Sequence, residues 1–196
     1  RRQELGVHAK RDSTGICFIG ERPFAQFLAK YLKTEPGPLV DPEGLTVGEH
    51  RGASLYTIGQ RQGLGMGGSR HSTSTDPWYV YAKDMNSNTV NVVQGHDHCL
   101  LQCTEVDATN VSWIAGHPPG TTFEATAKTR YRQTDVPCHV EVQQAGEIRV
   151  TFPTQQRAVT PGQSVVLYNG DICLGGGVIN ESRHAHDFAT PLGHDT

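Results

Sequence analysis

The chain has 196 residues, of which 36% are hydrophobic and 19% charged, with a formal net charge of -3. That composition excludes a disordered or fibrous protein, and no apolar run approaches the ~20 residues a membrane helix needs. The slight acidity argues against a strongly electrostatic nucleic-acid binder, since phosphate contacts want clustered Lys and Arg; such a role requires basic residues gathered on one face, or a further part of the protein carrying them.

Arg1 to Arg11 has no periodicity, lacks the apolar segment of a secretory signal and begins abruptly, as a fragment does. Asp12-Ser13-Thr14-Gly15-Ile16-Cys17-Phe18-Ile19-Gly20 follows, with one cysteine in a short apolar run between two glycines. Those glycines permit a sharp turn that presents a single side chain. On residue chemistry alone the role of Cys17 stays open, because a cysteine between Ile16 and Phe18 is more often an inert buried thiol than a nucleophile. Pro23 suits a first helical turn, and Phe24, Phe27, Leu28, Tyr31 and Leu32 recur at helical spacing, which predicts a helix that Pro36-Gly37-Pro38 ends. Leu39 to Val47 reads as short extended pieces about a turn at Asp41-Pro42-Glu43-Gly44. His50 to Gly65 begins as a helical turn and ends in a glycine-rich loop. That loop, Gly63 to Asp76, is expected to be mobile, and without a following Gly-Lys-Ser/Thr it is not a P-loop.

From Trp78 the pattern becomes strands. Trp78 to Lys83 and Thr89 to Val93 form a hairpin. Further strands are expected at Cys103 to Trp113, Thr122 to Arg132, Cys138 to Gln143, Glu147 to Phe152, Ser164 to Tyr168 and Ile172 to Ile179. Ala145-Gly146 and Asn169-Gly170 are turn signals, and Gly175-Gly176-Gly177 suggests a bulge in the last strand. Strands at this spacing with no helix between them argue for a closed barrel or a sandwich. The tail after Ser182 is polar, His-rich and expected to be disordered.

The five cysteines, Cys17, Cys99, Cys103, Cys138 and Cys173, are irregularly spaced and make a poor disulfide framework, which suits a reducing compartment. His96, His98, Cys99 and Cys103 lie close together, yet a zinc site needs a second ligand pair that is absent, so a solvated turn is the better reading. In the strand from Thr122 to Arg132, alternation puts Phe123, Ala125, Ala127, Thr129 and Tyr131 on one face. Glu124, Thr126, Lys128, Arg130 and Arg132 fall on the other. The three cations, with no acid after Glu124, form either a solvated strand face or a surface for backbone phosphates.

The Cys17 stretch resembles the second-cysteine motif of the tRNA-specific 2-thiouridylases. So, in order, do Glu21-Arg22-Pro23-Phe24, Tyr56-Thr57-Ile58-Gly59-Gln60-Arg61-Gln62-Gly63-Leu64 and Pro77-Trp78-Tyr79-Val80. Arg130-Tyr131-Arg132, Ala158-Val159-Thr160-Pro161-Gly162-Gln163 and Cys173-Leu174-Gly175-Gly176-Gly177 continue the match to about Ile179.

This resemblance implies a mainly β protein with a small α+β part, in which a central mixed domain precedes a C-terminal closed β-barrel. The implied division is a catalytic-domain tail (1–20), a central domain (21–100), the barrel (101–182) and a disordered tail (183–196). It also implies a tRNA-uridine 2-sulfurtransferase making 2-thiouridine at the wobble position. ATP would be bound by an N-terminal ATP-pyrophosphatase domain outside this chain, so the chain alone should be inactive. Cys17 would be the catalytic persulfide carrier, able to form a disulfide with a first cysteine in that domain. Arg130, Tyr131 and Gln163 would contact tRNA, beside Lys128 and Arg132 of the basic face, and the His50 to Leu64 segment would lie on the tRNA-facing side. The implied partners are tRNA and a sulfur-relay donor protein, with no metal and no membrane, in a cytoplasmic monomer whose residues 1–20 are exposed, disordered or packed on a neighbouring molecule. Two other readings stand beside it: a non-catalytic RNA-binding β-barrel, and a metal or redox protein using His96, His98, Cys99 and Cys103.

Overall fold

The structure is a computed structural model that describes residues 35–66, 74–131, 133–144 and 146–183. The expected helix at Pro23 to Lys33, Cys17 and its glycines, Arg132, residues 67–73 of the loop from Gly63 to Asp76 and the tail beyond Arg183 lie outside the described residues.

Four strands make the first sheet: β1 (Gly37–Val40), β2 (Thr46–His50), β3 (Trp78–Asp84) and β4 (Thr89–Gln94), in the order β2-β1-β4-β3. The β1–β2 turn closes where the Asp41 carboxylate accepts the Leu45 N–H (2.8 Å) and Gly44 takes φ 84. This is the Asx chemistry that the Asp-Pro-Glu-Gly signal promised. In the β3–β4 hairpin the Asp84 carboxylate accepts from the Asn86 N–H and the Ser87 hydroxyl, while Asn88 adopts φ 50. β1 then pairs parallel to β4.

The sheet is covered on both faces. Leu39, Val80, Val90 and Val92 are fully buried with Ala53, Tyr56 and Leu64 on one side, and Tyr79, Val93 and Leu101 pack on the other. The helical turn expected after His50 is a 3-10 turn, Ala53–Leu55. It is anchored by buried His50, whose Nε2 donates to the Asn88 carbonyl (2.9 Å) while its Nδ1 accepts the Gly52 N–H (2.9 Å).

A second 3-10 turn, Cys99–Leu101, leads into β5 (Gln102–Trp113). Then come β6 (Thr122–Lys128), β7 (Val136–Val142), β8 (Ile148–Arg157), β9 (Ser164–Asn169) and β10 (Ile172–Arg183). They close as an antiparallel barrel in the order β10-β5-β8-β7-β6-β9, so the sandwich alternative falls away. Closure leaves no open sheet edge. Inward positions recur every second residue and fill the interior: Val106 and Ala108, Cys138 and Val140, Ile148, Val150 and Phe152, Val165 and Leu167.

Two strands outrun their expected lengths. β8 continues through Pro153 because its ladder with β5 breaks there and resumes with Cys103 opposite Gln156 and Gln102 opposite Arg157. β10 reaches Arg183 because that guanidinium lies opposite Glu105 and binds both Glu105 (2.7 Å) and Asp107 (2.6 Å). The triple glycine does sit at register shifts, against β9 at Gly175 and against β5 after Gly176. A side chain at Gly175 would strike the Ser112 carbonyl, and one at Gly176 the Val165 carbonyl.

One strand is shorter than the sequence pattern suggests. β6 ends at Lys128, not Arg132, because the Gln133 amide oxygen takes both the Thr129 N–H (3.1 Å) and its hydroxyl (2.9 Å). The Gln133 N–H then bonds to the Arg130 carbonyl and closes a turn. The alternation expected through Arg130 and Tyr131 therefore fails beyond Thr129.

Candidate nucleic-acid interface

Where the sheet meets the rim of the barrel there is an open cleft of about 1030 Å³. One wall is the Thr57–Gln60 loop of the sheet; the other comes from residues 128–131, residues 162–164 and Tyr168 of the barrel. The sheet-side loop is held by its own chemistry. Gln60 Oε1 accepts the Thr57 N–H (3.0 Å), Gly59 takes φ 82 and donates to the Val80 carbonyl (2.7 Å), and the Val80 N–H returns to the Gln60 carbonyl (3.0 Å). Every bond in that set needs the sharp reversal at Gly59, which a residue with a Cβ adopts only under strain.

Lys128, Arg130, Tyr131 and Gln163, read from sequence as RNA contacts, all line this one cleft. Their arrangement differs from a row of cations on a strand. Lys128 is the last residue of β6, with its ammonium 5.4 Å from the Tyr168 ring centroid and 3.5 Å from Asp135. The sequence shows no acid after Glu124 in this stretch, yet the β6–β7 turn brings Asp135 beside Lys128. Tyr131, which alternation puts on the face of Phe123, Ala125 and Ala127, is 72% exposed, since it lies past the end of the strand.

Arg130 lies beyond β6 in the turn. Its Nη2 donates to the Ala158 carbonyl (2.7 Å) and to the Ile58 carbonyl (3.4 Å), so it spans barrel and sheet. Burial, and to a lesser degree Arg157, push its pKa down, but a guanidinium stays charged at any working pH. Gln163 is held through its backbone, donating to the Thr160 carbonyl (3.2 Å) and accepting from the Ile179 N–H (2.7 Å). Its side-chain Oε1 is buried with no hydrogen-bond partner among the described residues. Such a buried acceptor meets a ligand's donor only once the side chain turns toward the cleft.

Sequence reading missed Tyr168 as an aromatic wall and Arg157 as a neighbour of Arg130. For Tyr168 the alternation of Ser164 to Tyr168 was visible, but its partner Lys128 was unknowable before β6 and β9 paired. The His50 to Leu64 segment contributes Thr57, Ile58, Gly59 and Gln60 to the cleft.

The cluster of His96, His98, Cys99 and Cys103 does not converge. Cys103 points into the barrel core, 3% exposed, Cys99 is exposed and His96 packs edge-on to Tyr79. Among the described residues no group of three or more His, Cys, Asp or Glu side chains is placed to hold a metal. Burial pushes the thiols of Cys103 and Cys138 up to about 12, so neither is a nucleophile. Among the described residues no helix is long and apolar enough to cross a membrane.

Comparison with known proteins gives two matching family models. The tRNA methyl transferase PRC-barrel domain covers residues 25–94, and the aminomethyltransferase beta-barrel domain covers residues 103–179. A protein of Cupriavidus metallidurans named tRNA-specific 2-thiouridylase MnmA is 58% identical over 170 residues, 87% of this chain and 47% of the relative. Proteins of the same name from Ralstonia pickettii (56% over 176 residues, 90% of this chain, 47% of the relative) and Burkholderia pseudomallei (56% over 187 residues, 94% and 49%) are similar in the same way. The chain thus spans about half the length of the curated relatives it matches. With paired domain matches in order and more than half of the aligned residues identical, the chain belongs to the tRNA-specific 2-thiouridylase family, of which it is a C-terminal part.

Proposed function

We propose that the chain is the tRNA-gripping and sulfur-relaying part of a cytoplasmic tRNA-uridine 2-sulfurtransferase. The observation that carries this reading is the cleft, where residues distant in sequence supply two cations, exposed Tyr131 and the unpartnered Gln163 acceptor. Lys128 and Arg130 meet phosphate oxygens, Tyr131 stacks on an unpaired base or sugar, and Gln163 accepts from a ribose hydroxyl or a base amine. Arg132, next in sequence after Tyr131, is a further proposed tRNA contact. The reading treats residues 21–100 and 101–182 as two domains that grip one tRNA.

Cys17 is the proposed sulfur carrier. A donor protein's persulfide is attacked by the Cys17 thiolate, which takes the terminal sulfur and releases the donor thiol. The terminal sulfur of that persulfide attacks carbon 2 of the wobble uridine, and the activated oxygen leaves with AMP. The thiolate of a first cysteine elsewhere in the enzyme then attacks the Cys17 sulfur, which frees the 2-thiouridine and closes a disulfide that an external thiol reductant reopens. ATP supplies activation of the uracil oxygen in this reading. The residues of this chain do not fit that nucleotide, since the Gly63 to Asp76 loop lacks a phosphate-binding Lys and Ser/Thr pair. Its binding belongs to the portion of the relatives that this chain does not span. The enzyme acts as a monomer.

Two measurements test the reading. Incubation with a cysteine desulfurase and cysteine, followed by peptide mass spectrometry, is expected to find one added sulfur atom on Cys17. In the complete enzyme, Cys17→Ser is expected to abolish 2-thiouridine while leaving tRNA affinity unchanged. Undiminished thiolation by that variant would reduce the chain to an RNA-binding barrel.

A further inference from the structure

We propose that a joint centred on Ala158 sets the spacing between the two walls of the cleft, with Arg157 and Gly59 as positioning residues for RNA binding. The inference rests on the RNA-binding reading above, and it assigns roles to residues outside the expected tRNA contacts.

Ala158 is 2% exposed and holds φ 53, a left-handed conformation that a residue with a Cβ keeps only when its surroundings over-determine it. Those surroundings come from both units. Its N–H donates to the Leu101 carbonyl (2.7 Å), and its carbonyl accepts from Arg130 (2.7 Å) and from the Thr160 hydroxyl (3.1 Å). Its methyl faces Gly59 so closely that a Cβ on Gly59 would lie 2.6 Å away. Arg157 completes the joint from the barrel side. Its Nε donates to the His96 carbonyl (3.0 Å), and its guanidinium lies 4.9 Å from the Tyr79 ring centroid.

Among the described residues neither Arg130 nor Arg157 pairs with a carboxylate. Arg130 instead directs Nη2 at two backbone carbonyls, while Arg157 directs Nε at one and sets its guanidinium over an aromatic face, a planar group and an Nε–H that an ammonium lacks. The wall at Thr57–Gln60 moves with the sheet and the wall at Lys128–Tyr131 with the barrel. Whatever holds Gly59 against Ala158 therefore holds the walls at one distance.

The test is tRNA binding by the full chain, followed by fluorescence anisotropy across a salt titration. Arg157→Lys keeps the charge and loses the fork; Arg157→Met loses both. A positioning role predicts that both weaken binding by about tenfold, with the salt slope of Arg157→Lys equal to that of the parent. Gly59→Ala should weaken binding at least as much, and adding Ala158→Gly, which removes the opposing methyl but not the backbone strain at φ 82, should restore part of the loss. Parent-like binding by Arg157→Lys overturns the proposal, whether or not Arg157→Met binds. If the parent chain does not bind tRNA, the RNA reading itself falls. The joint is then judged by hydrogen exchange, where Arg157→Met should speed the Gly59 and Ala158 amides about tenfold and leave Val140 and Val150 unchanged. Unchanged exchange at Ala158 overturns the joint as well.

Discussion

Lys128 is held by an aromatic face on one side and by Asp135 on the other, so it reaches a phosphate only by exchanging a partly exposed ion pair. Such a pair is worth about 1 kcal/mol or less, which a phosphate contact readily offsets. Lys128→Ala is therefore expected to lower tRNA affinity and to flatten the log K against log salt slope by about 0.7–0.9. Tyr131→Ala should cost about 1–3 kcal/mol of binding with the slope unchanged, since stacking releases no counterion; anisotropy at several salt concentrations separates the two. The thiols carry a prediction of a different kind. Cys103 and Cys138 are held near 12 by burial, first of all, so folding keeps their protons on. A raised acid pKa leaves stability intact below the unfolded value near 8.5 and removes it as pH climbs from there toward 12, by up to about 1.4 kcal/mol per pH unit for each thiol. Urea midpoints should thus fall between about pH 9 and 11, and less steeply in Cys103→Ala. Residue chemistry of this sort was legible in sequence only in part. Lys128, Arg130, Tyr131 and Gln163 could be named beforehand, but not the acid beside Lys128 or the carbonyls that occupy Arg130, because those partners arrive through strand pairing.

Among the elements, β10 depends most on its glycines. Gly175 has φ 151 and would drive a side chain into the Ser112 carbonyl and the Trp113 backbone, at the seam where β10 meets β5. Gly175→Ala is expected to destabilise the chain by about 3 kcal/mol or more, measured by denaturant unfolding, because backbone on the neighbouring strand cannot yield as a side chain does. Arg183 across that seam and Arg149 of β8 on the other side of β5 close around Glu105 and Asp107, opposite-charge pairs across the two ladders. In the first sheet, buried His50 links β2 to the β3–β4 turn through Nε2 and to the 3-10 turn that follows it through Nδ1. Replacing it by Leu should cost about 2–4 kcal/mol, since the Asn88 carbonyl and the Gly52 N–H both lose their partner. The strand pattern itself was readable from alternation and turn residues, and it went astray only at ends. β8 and β10 ran on because a neighbour still offered ladder partners, and β6 stopped because Gln133 captured Thr129.

At the scale of the molecule, a net charge of -3 leaves little general attraction for RNA. In the proposed reading, binding comes from the local gathering of Lys128 and Arg130 at the cleft, so affinity should fall with salt even though the whole chain is acidic. The chain by itself determined the β class, the likeness of its motifs to one tRNA-modifying family and the thiol proposed to carry sulfur. Those features are written locally, in two-residue alternation, turn residues and short motifs that survive without neighbours. Only the tertiary structure decided that Thr57–Gln60, Lys128–Tyr131 and Gln163 face one cleft, and that Ala158 joins its walls. Barrel closure and the sheet–barrel contact are long-range pairings between segments far apart in sequence, and no local pattern encodes which segments meet.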